Sequence, residues 1–226
     1  TNEKGEVVEF EEKPKSPKNN KASMGIYIFT WEKLRQYLVT DEINEKSSND
    51  FGKNIIPTML KDGQRMMAYD FEGYWKDVGT IESLWEANMD LLKKPVPIAL
   101  YDKSWRIYGR NPSMPPHFIQ KDASVINSLV TEGCNVCGSI EHSVLFSGVT
   151  VEAGAKIKDS VVMPNVTVAR GAVINRAIIA EGAYIGPGAV VGKENGNIAV
   201  VGQLVDLPAG FIVDAGTQVE QKDVHA

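Results

Sequence analysis

The residues best suited to chemistry fall in three clusters: Glu11 to Pro14, Ala22 to Tyr27, and Gly73 to Thr80. Asp77 sits at the carboxyl end of an expected strand, just ahead of an expected helix, and ligands of open α/β sheets gather at such strand ends. Magnesium favours one or two carboxylates completed by phosphate oxygens and water. A single Asp there could therefore anchor a metal that bridges nucleotide phosphates; it could equally cap the helix that follows. Glu12 and Lys13 would point to opposite faces of a strand, but at a strand end entering the Pro14 turn both could reach one pocket. Lysine is a point-charge partner for phosphate, and a carboxylate accepts from sugar hydroxyls. The alternative for this pair is an exposed charged turn. Ser23, two residues before Gly25, places a small hydroxyl where a ligand could approach closely, although alone it specifies none.

Two cysteines, Cys134 and Cys137, form a lone C-x-x-C. A structural zinc site would need two more ligands, and only His142 is close in sequence. A thioredoxin-like motif would need a strand-to-helix turn that this region lacks. Two free thiols are expected.

The elements that must position these groups change character near residue 100. Before it, strand and helix patterns alternate. Glu6 to Glu11, Ala22 to Phe29, Met66 to Asp70 and Tyr74 to Val78 read as strands. Thr30 is placed to cap a helix with Trp31, Leu34 and Leu38 on one face. Asn49 or Asp50 could cap a second helix carrying Ile55, Ile56, Met59 and Leu60, with Pro57 disturbing it. Thr80 opens the clearest helix, in which Ile81, Leu84, Trp85, Asn88, Leu91 and Leu92 recur at helical spacing until Pro95 and Pro97. This mixture argues for an α/β layer with an incomplete sheet. Residues 96–122, with Leu100, Tyr101, Trp105 and Phe118, read as an ordered connector too apolar for a free linker.

From Val125 onward the chain repeats. Val151, Ile157, Met163, Val168, Ile174, Ile179, Ile185 and Val191 follow at spacings of 6, 6, 5, 6, 5, 6 and 6. Most have a small or apolar partner two positions earlier, such as Ala155, Val166 and Ala189. No helix has a six-residue period. Short strands on three flat faces of a coil do, with one inward side chain per strand and tight corners between them. Gly154, Gly171, Gly182, Gly186 and Gly188 suit corners needing positive φ. Stability would come from coil stacked on coil. The expected division is 1–95 for the α/β part, 96–122 for the connector and 123–226 for the β-helix.

Charge and composition exclude several classes. The 226 residues carry a net charge of -5 and a hydrophobic fraction of 43%. That is enough for a core, and a nucleic-acid binder would show a basic surplus. No apolar run approaches membrane-span length. The first twenty residues are charged, against a secretory signal. The absence of an initiating Met suggests a piece of a longer protein.

In order and spacing the clusters resemble the sugar-phosphate nucleotidyltransferases and, among them, the glucose-1-phosphate adenylyltransferases (ADP-glucose pyrophosphorylases). The likeness is carried by Val8 to Pro14 (VEFEEKP), Ser23 to Tyr27 (SMGIY), Ser47 to Lys53 (SSNDFGK) and Gly73 to Glu82 (GYWKDVGTIE). It continues through Asn127 to Val130, Gly133-Cys134 and Ser143 to Ser147. The resemblance implies a left-handed parallel β-helix; handedness does not follow from spacing, since parallel crossovers are ordinarily right-handed. It implies that Glu12 and Lys13 bind glucose 1-phosphate, Lys13 on the phosphate, with Ser23 also on the sugar phosphate. Asp77 would be one of two carboxylates holding Mg²⁺, and Asp50, Phe51 and Trp75 would line or support the sugar pocket. Plain helix cap (Asp50) and core residue (Trp75) are the competing roles. The implied reaction is in-line attack of glucose 1-phosphate on the α-phosphate of ATP, giving ADP-glucose and pyrophosphate for bacterial glycogen synthesis. A cytoplasmic homotetramer, or a hetero-oligomer with a paralogous subunit, is implied, with no nucleic-acid or membrane partner.

The departure is large: the family's glycine-rich nucleotide loop and its other metal-binding Asp are absent from this sequence. Alone, the 226 residues are expected neither to bind ATP properly nor to turn over. UTP, dTTP or GTP enzymes of the same fold, a non-catalytic regulatory subunit and a purely structural β-helix stay open. So does a hexapeptide acyltransferase, whose His base would have to be His142, since His117 falls in the connector and His225 at the terminus; the alternative for His142 is a solvated corner.

Overall fold

The computed structural model describes residues 1–100, 102–109 and 112–224. Tyr101 and His225, singled out above, lie outside the described residues. The chain divides into two compact units, residues 1–73 and 74–226.

The first unit holds helix α1 (Trp31–Glu42), a π-helical turn over Phe51–Ile55, and helix α2 (Ile56–Lys61). Thr30 precedes α1 as its N-cap residue, but its side chain makes no capping hydrogen bond. Asp50 is the residue that caps the second helical stretch, accepting from the Lys53 N–H. Pro57 lies in the first turn of α2, where a missing N–H costs nothing. The proline thus divides the stretch into a π turn and an α-helix, and does not break it. The expected strands of this half do not form a ladder. Among the described residues they make one isolated antiparallel bridge, Glu6 with Met67, flanked by bonds from Val7 N–H to Met66 O and from Ala68 N–H to Gly5 O. Alternating side chains mark a strand in sequence, but a sheet needs a neighbouring backbone to receive its N–H and C=O groups. The other expected strand segments find no such neighbour among the described residues.

The second unit is a three-faced parallel β-helix of three six-stranded sheets. One sheet stacks Phe118–Ile119, Asn135–Val136, Thr150–Val151, Thr167–Val168, Tyr184–Ile185 and Asp206–Leu207. Its register runs Val136, Val151, Val168, Ile185, Leu207, each 0% exposed. One coil therefore takes 17 residues from Val151 to Val168, the sum of three short strands and their corners. Burying a Val, Ile or Leu from each strand of the inner coils, at roughly 1.5–3 kcal/mol each, is the main term holding the stack together.

Two details of the repeat differ from expectation. In the sheet that includes Val144–Leu145, Val161–Val162 and Ala177–Ile179, the inward residue is Val162 and not Met163. Met163 instead packs on the outer face with Val161 and Ile178. The sequence offers three successive apolar residues there, so periodicity alone picks the wrong one. Gly186 is the second: it is not at positive φ, unlike Gly154, Gly171, Gly182 and Gly188. Glycine is needed at 186 because a β-carbon would run into the backbone of Leu207 and Pro208 on the next coil.

Helix α3 (Ile81–Met89) lies on that outer apolar face. Ile81, Leu84, Trp85 and Met89 pack with Val144, Val161, Ile178 and Ile198. Its N-terminus has a reciprocal capping box between Thr80 and Ser83, and a 3-10 turn, Asp90–Leu92, continues it. The Trp85 indole donates to Asp159 O at 2.7 Å, and the Arg176 guanidinium stands 4.5 Å over the Trp85 ring. At the far end, helix α4 (Gln221–Val224) packs Val224 onto the core while Gln221 Oε1 accepts from Asp206 N–H. The connector's Trp105 and Tyr108 are more than four-fifths exposed, so these two aromatics are not packed as the sequence suggested.

Candidate functional site

In the first unit the chain turns sharply at Lys13, whose φ of 48° is unusual for any residue but glycine. The turn breaks strand alternation and brings neighbouring side chains to one side: Lys13 Nζ is 3.7 Å from Glu12 Oε1. Lys13 is 88% exposed along its side chain, while Glu12 is 28% exposed. Such a pair adds little stability. Its significance is that an anchored carboxylate and an extended ammonium leave the same turn.

Glu12 is seated by Gly52. A β-carbon at position 52 would overlap Glu12 Oε2, lie 3.0 Å from Glu12 Cδ and 3.4 Å from Asp50 Oδ1. The Glu12 and Asp50 carboxylates thus converge on one buried glycine. Asp50 is both a cap, its Oδ1 accepting from Lys53 N–H at 2.8 Å, and a member of this acceptor pair.

The next residue, Phe51, stacks on Tyr27 with ring centroids 6.0 Å apart and planes 15° from parallel; Phe29 completes the cluster at 5.8 Å from Phe51. Tyr27 in turn shares a 3.0 Å hydrogen bond with Ser23 Oγ, which also accepts from Gly25 N–H. Glu12 and Asp50 are therefore linked through Gly52, and Phe51 and Ser23 through Tyr27: two carboxylates, an aromatic wall and a hydroxyl. Gly52, Tyr27 and Phe29 were not singled out by sequence reasoning as site residues. Gly52 and Tyr27 sit inside the SSNDFGK and SMGIY segments, and the lack of a side chain at 52 was the available signal.

The remaining predicted residues lie in the second unit. Trp75 is 44% exposed and so is not a core residue. Asp77 is exposed, and its Oδ1 accepts from Gly79 N–H at 3.0 Å in a tight turn. It does not cap α3, a task Thr80 performs. Its neighbours on either side of Trp75 are held from behind. Tyr74 donates to Asp90 Oδ2 at 2.9 Å and Lys76 Nζ to the same oxygen at 3.1 Å, while Lys76 also reaches Glu86 at 2.9 Å. Asp90 is 5% exposed. Lys93 beside it, aided by Tyr74 and Lys76, holds its carboxyl down at about 2, against the penalty of burial. Desolvation and the Asp90 bond push the Tyr74 phenol upward.

Among the described residues no three His, Cys, Asp or Glu side chains gather to hold a metal ion. The lone Asp77 carboxylate, one oxygen engaged by Gly79, fits a Mg²⁺ completed by phosphate oxygens and water, and does not fit an all-protein cage. Cys134 and Cys137 are both free thiols. His142 is a corner residue at φ 43°, its Nδ1 2.6 Å from Asp159 Oδ1. No described helix is long and apolar enough to cross a membrane.

Residues 1–94 match the Nucleotidyl transferase family and residues 114–199 the GlmU-like, C-terminal hexapeptide family. The chain is similar to glucose-1-phosphate adenylyltransferase of Bacillus mycoides (strain KBAB4), 58% identical over 159 residues, which is 70% of this chain and 42% of that one. It is 61% identical over 153 residues to the enzyme of the same name from Clostridium botulinum (strain Alaska E43 / Type E3), covering 68% of this chain and 40% of that protein. The chain thus spans about two fifths of the length of the curated relatives it matches. A nucleotidyltransferase segment followed by a hexapeptide β-helix, with this level of identity, makes the chain a member of the ADP-glucose pyrophosphorylase family, homologous to glucose-1-phosphate adenylyltransferase over that portion.

Proposed function

We propose that this chain is part of an enzyme that transfers the adenylyl group of ATP to glucose 1-phosphate, releasing pyrophosphate and forming ADP-glucose for bacterial glycogen synthesis. The observation that carries the reading is the convergence of Glu12 and Asp50 on Gly52, joined through Phe51 and Tyr27 to Ser23. Carboxylates in that setting accept from sugar hydroxyls, and an aromatic wall covers a sugar face. Lys13, extended beside Glu12, supplies the positive charge for the phosphate. On the family resemblance alone, Trp75 is proposed as a further sugar contact.

In the proposed reaction a phosphate oxygen of glucose 1-phosphate forms a bond to the α-phosphorus of ATP. The bond from that phosphorus to the bridging oxygen breaks, and pyrophosphate leaves with its electron pair. No covalent enzyme intermediate is required, so positioning and charge neutralisation are the protein's contribution. Asp77 would be one of two carboxylates holding Mg²⁺, which when bound neutralises phosphate charge. Base choice and the second carboxylate belong to a segment outside this sequence, so the 226 residues alone are proposed to be inactive. We further propose a cytoplasmic homotetramer or hetero-oligomer, and functional boundaries at 1–95, 96–122 and 123–226.

The test is turnover by the full-length protein with ATP against UTP and dTTP, with Asp77→Asn as control. A clear preference for ATP, abolished in the variant, is expected. Retained activity in Asp77→Asn would remove the metal role, and full activity in the isolated 226-residue chain would refute the division of labour.

A further inference from the structure

We infer that Asp90 is a positioning residue for Trp75 and Asp77, acting through the backbone from the opposite side of the segment. The inference rests on the roles proposed above for those two residues. Burial alternates along 74–77: Tyr74 and Lys76 are half-buried, and Trp75 and Asp77 are exposed. Both inward residues end on a single oxygen, Asp90 Oδ2, at 2.9 and 3.1 Å. The other oxygen, Oδ1, is held by Lys93 at 2.6 Å. Asp90 stands in the turn that continues α3, and α3 is fixed to the β-helix by Met89, Trp85 and the indole bond to Asp159 O.

One buried carboxylate therefore ties the 74–77 segment, through two side chains, to a helix that is itself seated on a rigid stack. With side-chain directions alternating, pinning Tyr74 and Lys76 inward sets the outward course of Trp75 and Asp77. An ionised carboxylate taken out of water is costly unless it is fully bonded, and here Tyr74, Lys76 and Lys93 all donate to it. The segment it steadies forms no ladder with a neighbouring strand among the described residues, so these bonds replace the restraint that sheet pairing would give.

The experiment compares Asp90→Asn, Tyr74→Phe and Asp77→Asn. In the 226-residue chain, amide hydrogen exchange at the bonded Gly79 and Thr80 N–H groups, read in peptides spanning 73–80, should accelerate about tenfold in Asp90→Asn, the loss expected for a charged hydrogen bond, and less in Tyr74→Phe. Peptides from the β-helix core should be unchanged. In the full-length protein the Mg²⁺ concentration for half-maximal rate should rise by about 10–100-fold in Asp90→Asn, the usual consequence of disturbing a residue behind a ligand. Unchanged exchange over 73–80 in both Asp90→Asn and Tyr74→Phe would overturn the inference. So would a folded Asp90→Asn whose Mg²⁺ dependence matches wild type, or a collapse of the whole second unit in Asp90→Asn with Tyr74→Phe normal in both readouts. Asp77→Asn keeps the acceptor for Gly79 N–H, so its exchange should stay at the wild-type level. Turnover retained there would sink the underlying metal role, independently of the exchange result.

Discussion

The carboxylate of Glu12 occupies the space a β-carbon on Gly52 would need. Gly52→Ala should therefore act on ligand binding more than on folding. The atom in the way is the tip of a flexible side chain, which can swing aside, and alanine is favoured over glycine inside a helix by about 0.5–1 kcal/mol. Thermal melting should be unchanged or slightly raised. Half-saturation for glucose 1-phosphate in the full-length protein should rise about tenfold or more, as expected when a hydrogen-bonding partner is displaced. A variant with unaltered sugar-phosphate affinity would show that Glu12 is not held there for the ligand.

Acid should loosen α3 through Asp90. Its carboxyl is lowered from 3.8 to about 2, first by Lys93 and then by Tyr74 and Lys76. A depressed folded-state value means the stabilisation is complete above the unfolded value and is lost as pH falls from about 4 to about 2. Denaturant melts of the chain followed by tryptophan fluorescence should show this extra loss in wild type. In Asp90→Asn the profile should be flatter over that window and lower above it. Parallel profiles for the two proteins would mean that Asp90 does not titrate as described.

The two thiols should separate cleanly under alkylation. Cys134 is 2% exposed and burial raises its thiol, while its Sγ–H donates to Phe146 O at 3.1 Å. Cys137 is only half-buried. Since the thiolate is the reactive form, iodoacetamide at neutral pH should label Cys137 and leave Cys134 untouched until the β-helix unfolds. Peptide mass spectrometry reads this directly, and early labelling of Cys134 would contradict the burial of the first coils.

How much was legible beforehand depended on whether a signal was local. The β-helix was, because each inward Val, Ile or Ala repeats the same requirement and errors at Met163 do not propagate. The capping of α3 by Thr80 was local too. The extended segments of the first half build no ladder because alternation reports faces and not partners, and among the described residues only Glu6 and Met67 find each other. Glu12, Ser23 and Asp50 were named as candidates from motifs, whereas Gly52 and Asp90 were not. One acts by having no side chain, and the other reaches back 14 and 16 residues to Lys76 and Tyr74.

A ladder of serines at one corner was also invisible to periodicity, and it yields the sharpest stability test. Ser143 N–H donates to Ser128 Oγ, Ser160 N–H to Ser143 Oγ, and Ala177 N–H to Ser160 Oγ, at 3.0–3.1 Å. Each hydroxyl donates onward to a carbonyl two residues earlier in its own coil: Ile126, Glu141 or Lys158. The corner residues just before them, Asn127, His142 and Asp159, all take positive φ, which turns the backbone N–H of the next coil toward the hydroxyl below. Ser143 and Ser160 are 0% exposed, so no water can replace a lost hydroxyl. Ser160→Ala strands the Ala177 N–H and should cost about 1–3 kcal/mol. Ser128→Ala, at the half-buried start of the ladder, should cost less. Chemical denaturation of the two single variants gives the order: equal losses would show that the hydroxyls merely fill space, and a loss at Ser160 well above that at Ser128 would show that they satisfy the coil-to-coil backbone.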